Sequence, residues 1–156
     1  MAKIKYMEVL GLKIYLDNCC YNRPFDDQSQ ERVYMESKAI ISILKRSELH
    51  EFEIIGSPII RMEISEIRDE DKKMKVQNIY HIVHEECSIT ESVKARSAEI
   101  MALSKIQLLD SLHIAASESA NADVLLTTDD KLEKIAKKLD LKVRVLNPLK
   151  FILEVL

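Results

Sequence analysis

The stretch KIYLDNCC, Lys13 to Cys20, sets three β-forming residues, Ile14, Tyr15 and Leu16, directly against an aspartate. A short run of this kind reads as a strand over residues 13–16. Asp17 then stands where the chain leaves that strand. It serves either as the cap of whatever follows or as a charge held at the end of a buried sheet, and the stretch leaves both readings open. A second stretch has the same form: DVLLTTDD, Asp123 to Asp130, is an apolar run followed by two threonines and two aspartates.

Working outward, the polar turn NRPFDDQSQ with Pro24 ends in a helix over 31–48, whose inner side is read as Val33, Ile40, Ile41 and Leu44. A strand over 53–55 stops at Gly56. Ser57-Pro58 then opens a helix as a capping residue followed by proline at the first helical position. Further helices are predicted over 71–83, 91–103, 109–120, 130–139 and 148–155. Strands are predicted over 87–90, 123–127 and 143–146. Strands alternating with helices point to a helix-rich α/β chain, a three-layer α/β/α arrangement around a central parallel sheet. Without internal repeats or a linker, residues 13–156 read as one domain, and 1–12 as an N-terminal extension of unknown role.

The composition agrees. At 156 residues the chain has room for one core, and 47% hydrophobic with 31% charged residues is a globular balance. Two glycines and three prolines imply short loops. A net charge of −3 argues against a broadly basic nucleic-acid surface, though not against a local patch. Three cysteines, Cys19, Cys20 and Cys87, have no paired spacing, and the N-terminus lacks the apolar segment of a secretory signal. A reduced, cytoplasmic setting is therefore expected, and a vicinal disulfide between Cys19 and Cys20 is not. No run approaches the roughly 20 apolar residues of a membrane span, so no membrane partner is expected.

Glu63 carries the most information. On a helix begun at Pro58, about 100° per residue places Ile59, Ile60, Met62, Ile64 and Ile67 on one side with Glu63 among them. A carboxylate there must be paired, protonated or bound to a cation. Asp110 opens LLDSLHIAAS, where capping alone would explain it, and His113 one turn later reads as a packed or surface histidine. Asp129 or Asp130 caps the helix KLEKIAKKL, which leaves the other to be explained. In an open parallel sheet, ligands gather outside the carboxyl ends of the strands. Gathered there, Asp17, Glu63, Asp110 and Asp129 would repel one another, a penalty that a hard divalent cation such as Mg²⁺ or Mn²⁺ reverses.

In this order, and with LDSLHIAA and DVLLTTDD, the four acids resemble the PIN domain, the metal-dependent ribonuclease fold of many prokaryotic toxins of the VapC family. The resemblance spans about residues 13–156, and CCYNRPFDDQSQER with VRVLNP is similar to one bacterial branch. It implies Mg²⁺- or Mn²⁺-dependent hydrolysis of RNA phosphodiester bonds. Asp17, Glu63, Asp110 and Asp129 would hold the metal, and Thr127 would orient water or phosphate. Asn18, where most relatives carry Ser or Thr, would bond a metal-bound water or a phosphate. Arg23 and Asp130 are further candidates for substrate contact. A cognate antitoxin and a homodimer are the partners it implies besides RNA, and PLKFILEVL could serve either, although core packing is the commoner use.

Other readings are weaker. A dehalogenase-type phosphatase wants a second aspartate two residues after the first, where Cys19 stands. HIVHEEC spaces His81, His84 and Cys87 like zinc ligands but offers no fourth. The remaining rival is a PIN-like binding module, or toxin relic, without catalysis.

Overall fold

In the computed structural model, which describes residues 11–156, the run before Asp17 is the middle strand of the molecule. The expected extension over 1–12 lies almost wholly outside the described residues. The five strands among the described residues are β1 (Leu12–Leu16), β2 (Phe52–Gly56), β3 (Glu85–Glu86), β4 (Val124–Leu126) and β5 (Arg144–Leu146). They lie in the order β3-β2-β1-β4-β5 and every neighbouring pair is parallel. Tyr15 is in register with Ile55 on one side and Leu125 on the other. Parallel pairing brings all the carboxyl ends to one rim, with Asp17 and Thr127 side by side there. The Asp17 N–H continues the ladder onto Leu126 O, and the Thr127 N–H continues it onto Leu146 O.

Among the described residues, eight α-helices surround the sheet: α1 (Asn18–Asn22), α2 (Glu31–Glu48), α3 (Pro58–Ser65), α4 (Glu70–Tyr80), α5 (Glu91–Leu103), α6 (Leu108–Ser119), α7 (Asp130–Ala136) and α8 (Pro148–Val155). Successive strand side chains point to opposite faces, so Tyr15 and Asp17 share one face and Ile14 and Leu16 share the other. On the Tyr15 face lies His113 of α6, ring against ring at 5.6 Å. On the opposite face Phe52 meets Phe151 of α8 at 5.7 Å, and Arg46 of α2 stacks over it. This is the expected three-layer arrangement. The apolar tail serves the core, burying Phe151, Ile152 and Val155.

Several boundaries differ from the sequence reading, each for a local reason. The strand expected over 87–90 forms instead at Glu85–Glu86. It is an edge strand chosen by backbone geometry, with the N–H groups of His84 and Cys87 bonded to Ile54 O and Gly56 O. Asp69 caps α4, which moves its start to Glu70. Helix α7 ends at Ala136, short of 139. On α2, Val33 and Ile40 are buried as expected, but Ile41 and Leu44 are only half-buried, and Glu36, Ala39 and Ile43 turn inward. On α3, Met62 is 44% exposed rather than packed.

Gly56 ends β2 where no side chain fits. A Cβ there would lie 2.9 Å from Tyr80 Cζ and from Val83 Cγ1.

Candidate metal centre

A cleft of about 330 Å³ opens at the carboxyl rim of β1 and β4 and is lined by Asp17, Glu63, Asp110 and Asp129. The four expected acids therefore meet, although they are spread from residue 17 to residue 129. Each arrives from its own element: Asp17 at the end of β1, Glu63 on α3, Asp110 in the first turn of α6, and Asp129 at the start of α7. Two larger hollows, of about 550 and 640 Å³, lie elsewhere and contain none of the four.

Asp17 is buried, and its Oδ2 accepts a 3.1 Å hydrogen bond from Thr127 Oγ1. That hydroxyl also accepts the Asp129 N–H at 3.2 Å, so Thr127 links the first and fourth acids. Burial raises the pKa of Asp17, and Glu63 adds to the rise; His113 and the Thr127 bond oppose it. Asp110 has no hydrogen-bond or ion-pair partner among the described residues. Burial, with the fields of Asp17, Asp129 and Glu63, pushes its pKa up to about 6, against the opposing pull of His113.

Asp129 does what a cap does: its Oδ1 accepts from the N–H groups of Lys131 and Leu132. Its other oxygen has no hydrogen-bond partner among the described residues, so the capping and rim positions coexist in one side chain. Asp130 does not line the cleft. It is held by Arg32, with both oxygens at 2.6 Å from guanidinium nitrogens.

Asn18 lines the cleft, its Oδ1 accepting from Asn22 Nδ2 at 3.0 Å. Arg23 also lines it and is the one cation that does so among the described residues. Its guanidinium is committed, however, 3.2 Å from Asp26 and 3.3 Å from Glu36, the latter contact out of line for a hydrogen bond. Glu36 is 1% exposed and also meets Arg32 and Asn147. The helical stripe that carries Val33 inward carries Glu36 with it, a charge the apolar count on α2 did not flag.

The chief omission of the sequence reading is His113. Far from being a bystander, it is buried with Nε2 2.5 Å from Glu63 Oε1 and 3.8 Å from Asp17 Oδ1. One ligand atom from each of Asp17, Glu63 and His113 falls within 4.8 Å of the others. The available signal was the spacing: Asp110 and His113, three apart, share a helix face. Burial opposes a charge on His113, but the bond to Glu63 and the fields of Asp17, Glu63 and Asp110 outweigh it and raise its pKa.

The other sequence motifs resolve simply. His84 Nδ1 accepts the Ile54 N–H and Cys87 Sγ donates to Gly56 O, so HIVHEEC is spent on the sheet edge. All three cysteines are free thiols. No helix among the described residues is long and apolar enough to cross a membrane.

Carboxylate oxygens around an open cleft, with two pKa values raised by crowding and burial, are a donor set suited to a hard divalent cation.

Comparison with known proteins identifies the family and the fold. Residues 14–138 match the family model described as PIN domain. Among solved structures, the chain is similar to VapBC2 from Rickettsia felis bound to a DNA fragment from its promoter, with a TM-score of 0.60. Identity there is 14%, over 87% of this chain and 98% of that one. It is also similar to DNA-bound VapBC from Salmonella typhimurium, with a TM-score of 0.58 and 13% identity over 88% of this chain and 98% of that one. At these identities the likeness is one of fold. No curated protein sequence matches the chain.

Proposed function

The chain belongs to the PIN domain family, and from that premise we propose that it is a divalent-metal-dependent ribonuclease that hydrolyses RNA phosphodiester bonds. The observation that carries the reading is the convergence of Asp17, Glu63, Asp110 and Asp129 on one cleft at the strand ends, where the one lining cation among the described residues, Arg23, is already held by Asp26 and Glu36. Asp17, Glu63 and Asp110 would hold Mg²⁺ or Mn²⁺ directly or through water, and Asp129 would complete the set with its uncapped oxygen. When bound, such an ion lowers the pKa of a water and neutralises charge on a phosphodiester.

The chain's own residues prepare the place. Thr127 bonds the Asp17 carboxylate and would orient water or phosphate. Asn18 presents an amide to the same cleft, and the burial of Asp17 keeps bulk water from its carboxylate. Arg23 could reach a substrate phosphate only by exchanging Asp26 and Glu36 for it. The VapBC character of the two solved neighbours supports a toxin role within a type II toxin–antitoxin pair. On that reading a cognate antitoxin and a second copy of the chain are its partners.

The test is cleavage of a mixed RNA pool with Mn²⁺ and with chelator. Cleavage with Mn²⁺ alone, lost in a folded Asp17→Asn variant, supports the reading. A protein that binds RNA without cutting it under any divalent ion is instead a binding module.

A further inference from the structure

Glu63 does not face the cleft unsupported. Its carboxylate meets His113 Nε2 at 2.5 Å, His113 Nδ1 meets the Tyr15 hydroxyl at 2.6 Å, and that hydroxyl meets Ser57 Oγ at 2.7 Å. Ser57 is the N-cap of α3 and accepts the Ile60 N–H at 3.3 Å. The chain of bonds thus leaves the start of α3, crosses β1 and α6, and returns to a side chain on α3 itself. Ser57, Tyr15 and His113 are all completely or almost completely buried, so water offers them little competition.

The bond to Glu63 fixes one hydrogen of the chain. With Glu63 ionised, only a proton on Nε2 makes a bond there, since otherwise lone pairs face each other. In the neutral ring Nδ1 accepts from the Tyr15 O–H, which accepts from Ser57; in the charged ring Nδ1–H donates to Tyr15 and Tyr15 donates to Ser57, and Nε2 keeps its proton toward Glu63 in both. The proton on Nε2 occupies the nitrogen that would have to be bare to bind a metal. This makes His113 a holder of a ligand rather than a ligand.

We propose that Ser57, Tyr15 and His113 form a positioning relay for Glu63, fixing its carboxylate toward Asp17 and thereby setting the affinity of the cleft for a divalent cation. A glutamate at a cleft lip has several rotamers, only some of which face the other acids, and 20% of the Glu63 side chain is exposed. Partners that lock a ligand's orientation are typically worth about 10–100-fold in metal affinity or activity. The proposal rests on the metal centre proposed above.

The experiment is titration calorimetry of Mn²⁺ into chelator-stripped protein, with circular dichroism to check the fold. His113→Leu removes both ring nitrogens, whereas His113→Gln restores an N–H donor toward Glu63. The Mn²⁺ dissociation constant is expected to rise about 10–100-fold in His113→Leu and to stay within about threefold of wild type in His113→Gln. Should His113→Leu fail to fold, Tyr15→Phe removes only the hydroxyl and is expected to weaken Mn²⁺ about tenfold.

Wild-type affinity in the folded leucine variant, or in Tyr15→Phe where that variant does not fold, overturns the relay. So does a loss that glutamine fails to restore, which would make the imidazole itself a ligand. Wild-type protein that binds no Mn²⁺ removes the metal centre and the relay together. Mn²⁺-dependent RNA cleavage alongside unchanged variant affinities removes the relay alone.

Discussion

Arg32 grips Asp130 with two guanidinium nitrogens at 2.6 Å and extends a third contact to Thr128 O at 3.3 Å, while Asp129 beside them keeps an oxygen toward the cleft. Adjacent aspartates that look interchangeable in sequence therefore have different work. Asp129→Asn should abolish Mn²⁺-dependent RNA cleavage and weaken Mn²⁺ binding at least tenfold. Asp130→Asn should leave both within about threefold, because exposed pairs contribute little. Parallel calorimetry and cleavage assays of the two variants check this, and equal losses would refute the division.

Asp110 makes the acidic centre costly to fold without a cation. Its carboxyl is pushed up to about 6 from an ordinary 3.8, so the folded state holds that proton more tightly than the unfolded chain. The associated stability is present below about pH 4 and is lost as pH rises through about 6. In chelator, Asp110→Asn should therefore melt at or above the wild type at pH 7.5. The upward shift that Mn²⁺ gives the wild type should be larger at pH 7.5 than at pH 5, and should shrink in the variant. Thermal melts at the two pH values decide it; an asparagine variant that melts well below wild type in chelator would show a structural role instead.

Thr127 joins two acids through one buried hydroxyl. Thr127→Val keeps the shape but leaves Asp17 and the Asp129 N–H each short of a partner. It should cost about 1–3 kcal/mol in urea unfolding, and Thr127→Ser should recover most of that. Equal stability of valine and threonine would mean that water replaces the hydroxyl freely.

Gly56→Ala should cost about 1–3 kcal/mol, since the added methyl meets Tyr80 and Val83 and both must move. The same urea measurement tests it. A neutral substitution would show that the β2–α4 contact yields easily.

Much of this architecture was legible before any coordinates. Strand-end position marked Asp17 and Asp129, and a charge on an apolar helical face marked Glu63. All of these signals lie within a few residues of chain. What was not legible depends on who crosses whom. Strand alternation sends Tyr15 and Asp17 to one side, but only the placement of β1 between β2 and β4 brings Ser57 and His113 to that side as well.

Arg23 shows a second limit of the sequence reading. Its loop position suggested a phosphate contact, but the cation is already occupied by Asp26 and a buried Glu36. That occupation could not be read from the α2 pattern, because a glutamate on the inner stripe looks like noise until its partners are seen.

The sheet is closed by its last strand. Thr127 is tied to Leu146 and Asn147 to Glu36, so the segment bearing Asp129 has its full support only after β5 has arrived. On a translating ribosome, then, a nascent chain lacks these two ties until the codons for β5 and Asn147 have been read and that segment has cleared the exit tunnel. The segment bearing Asp129 is thus the last part of the cleft to gain its full support.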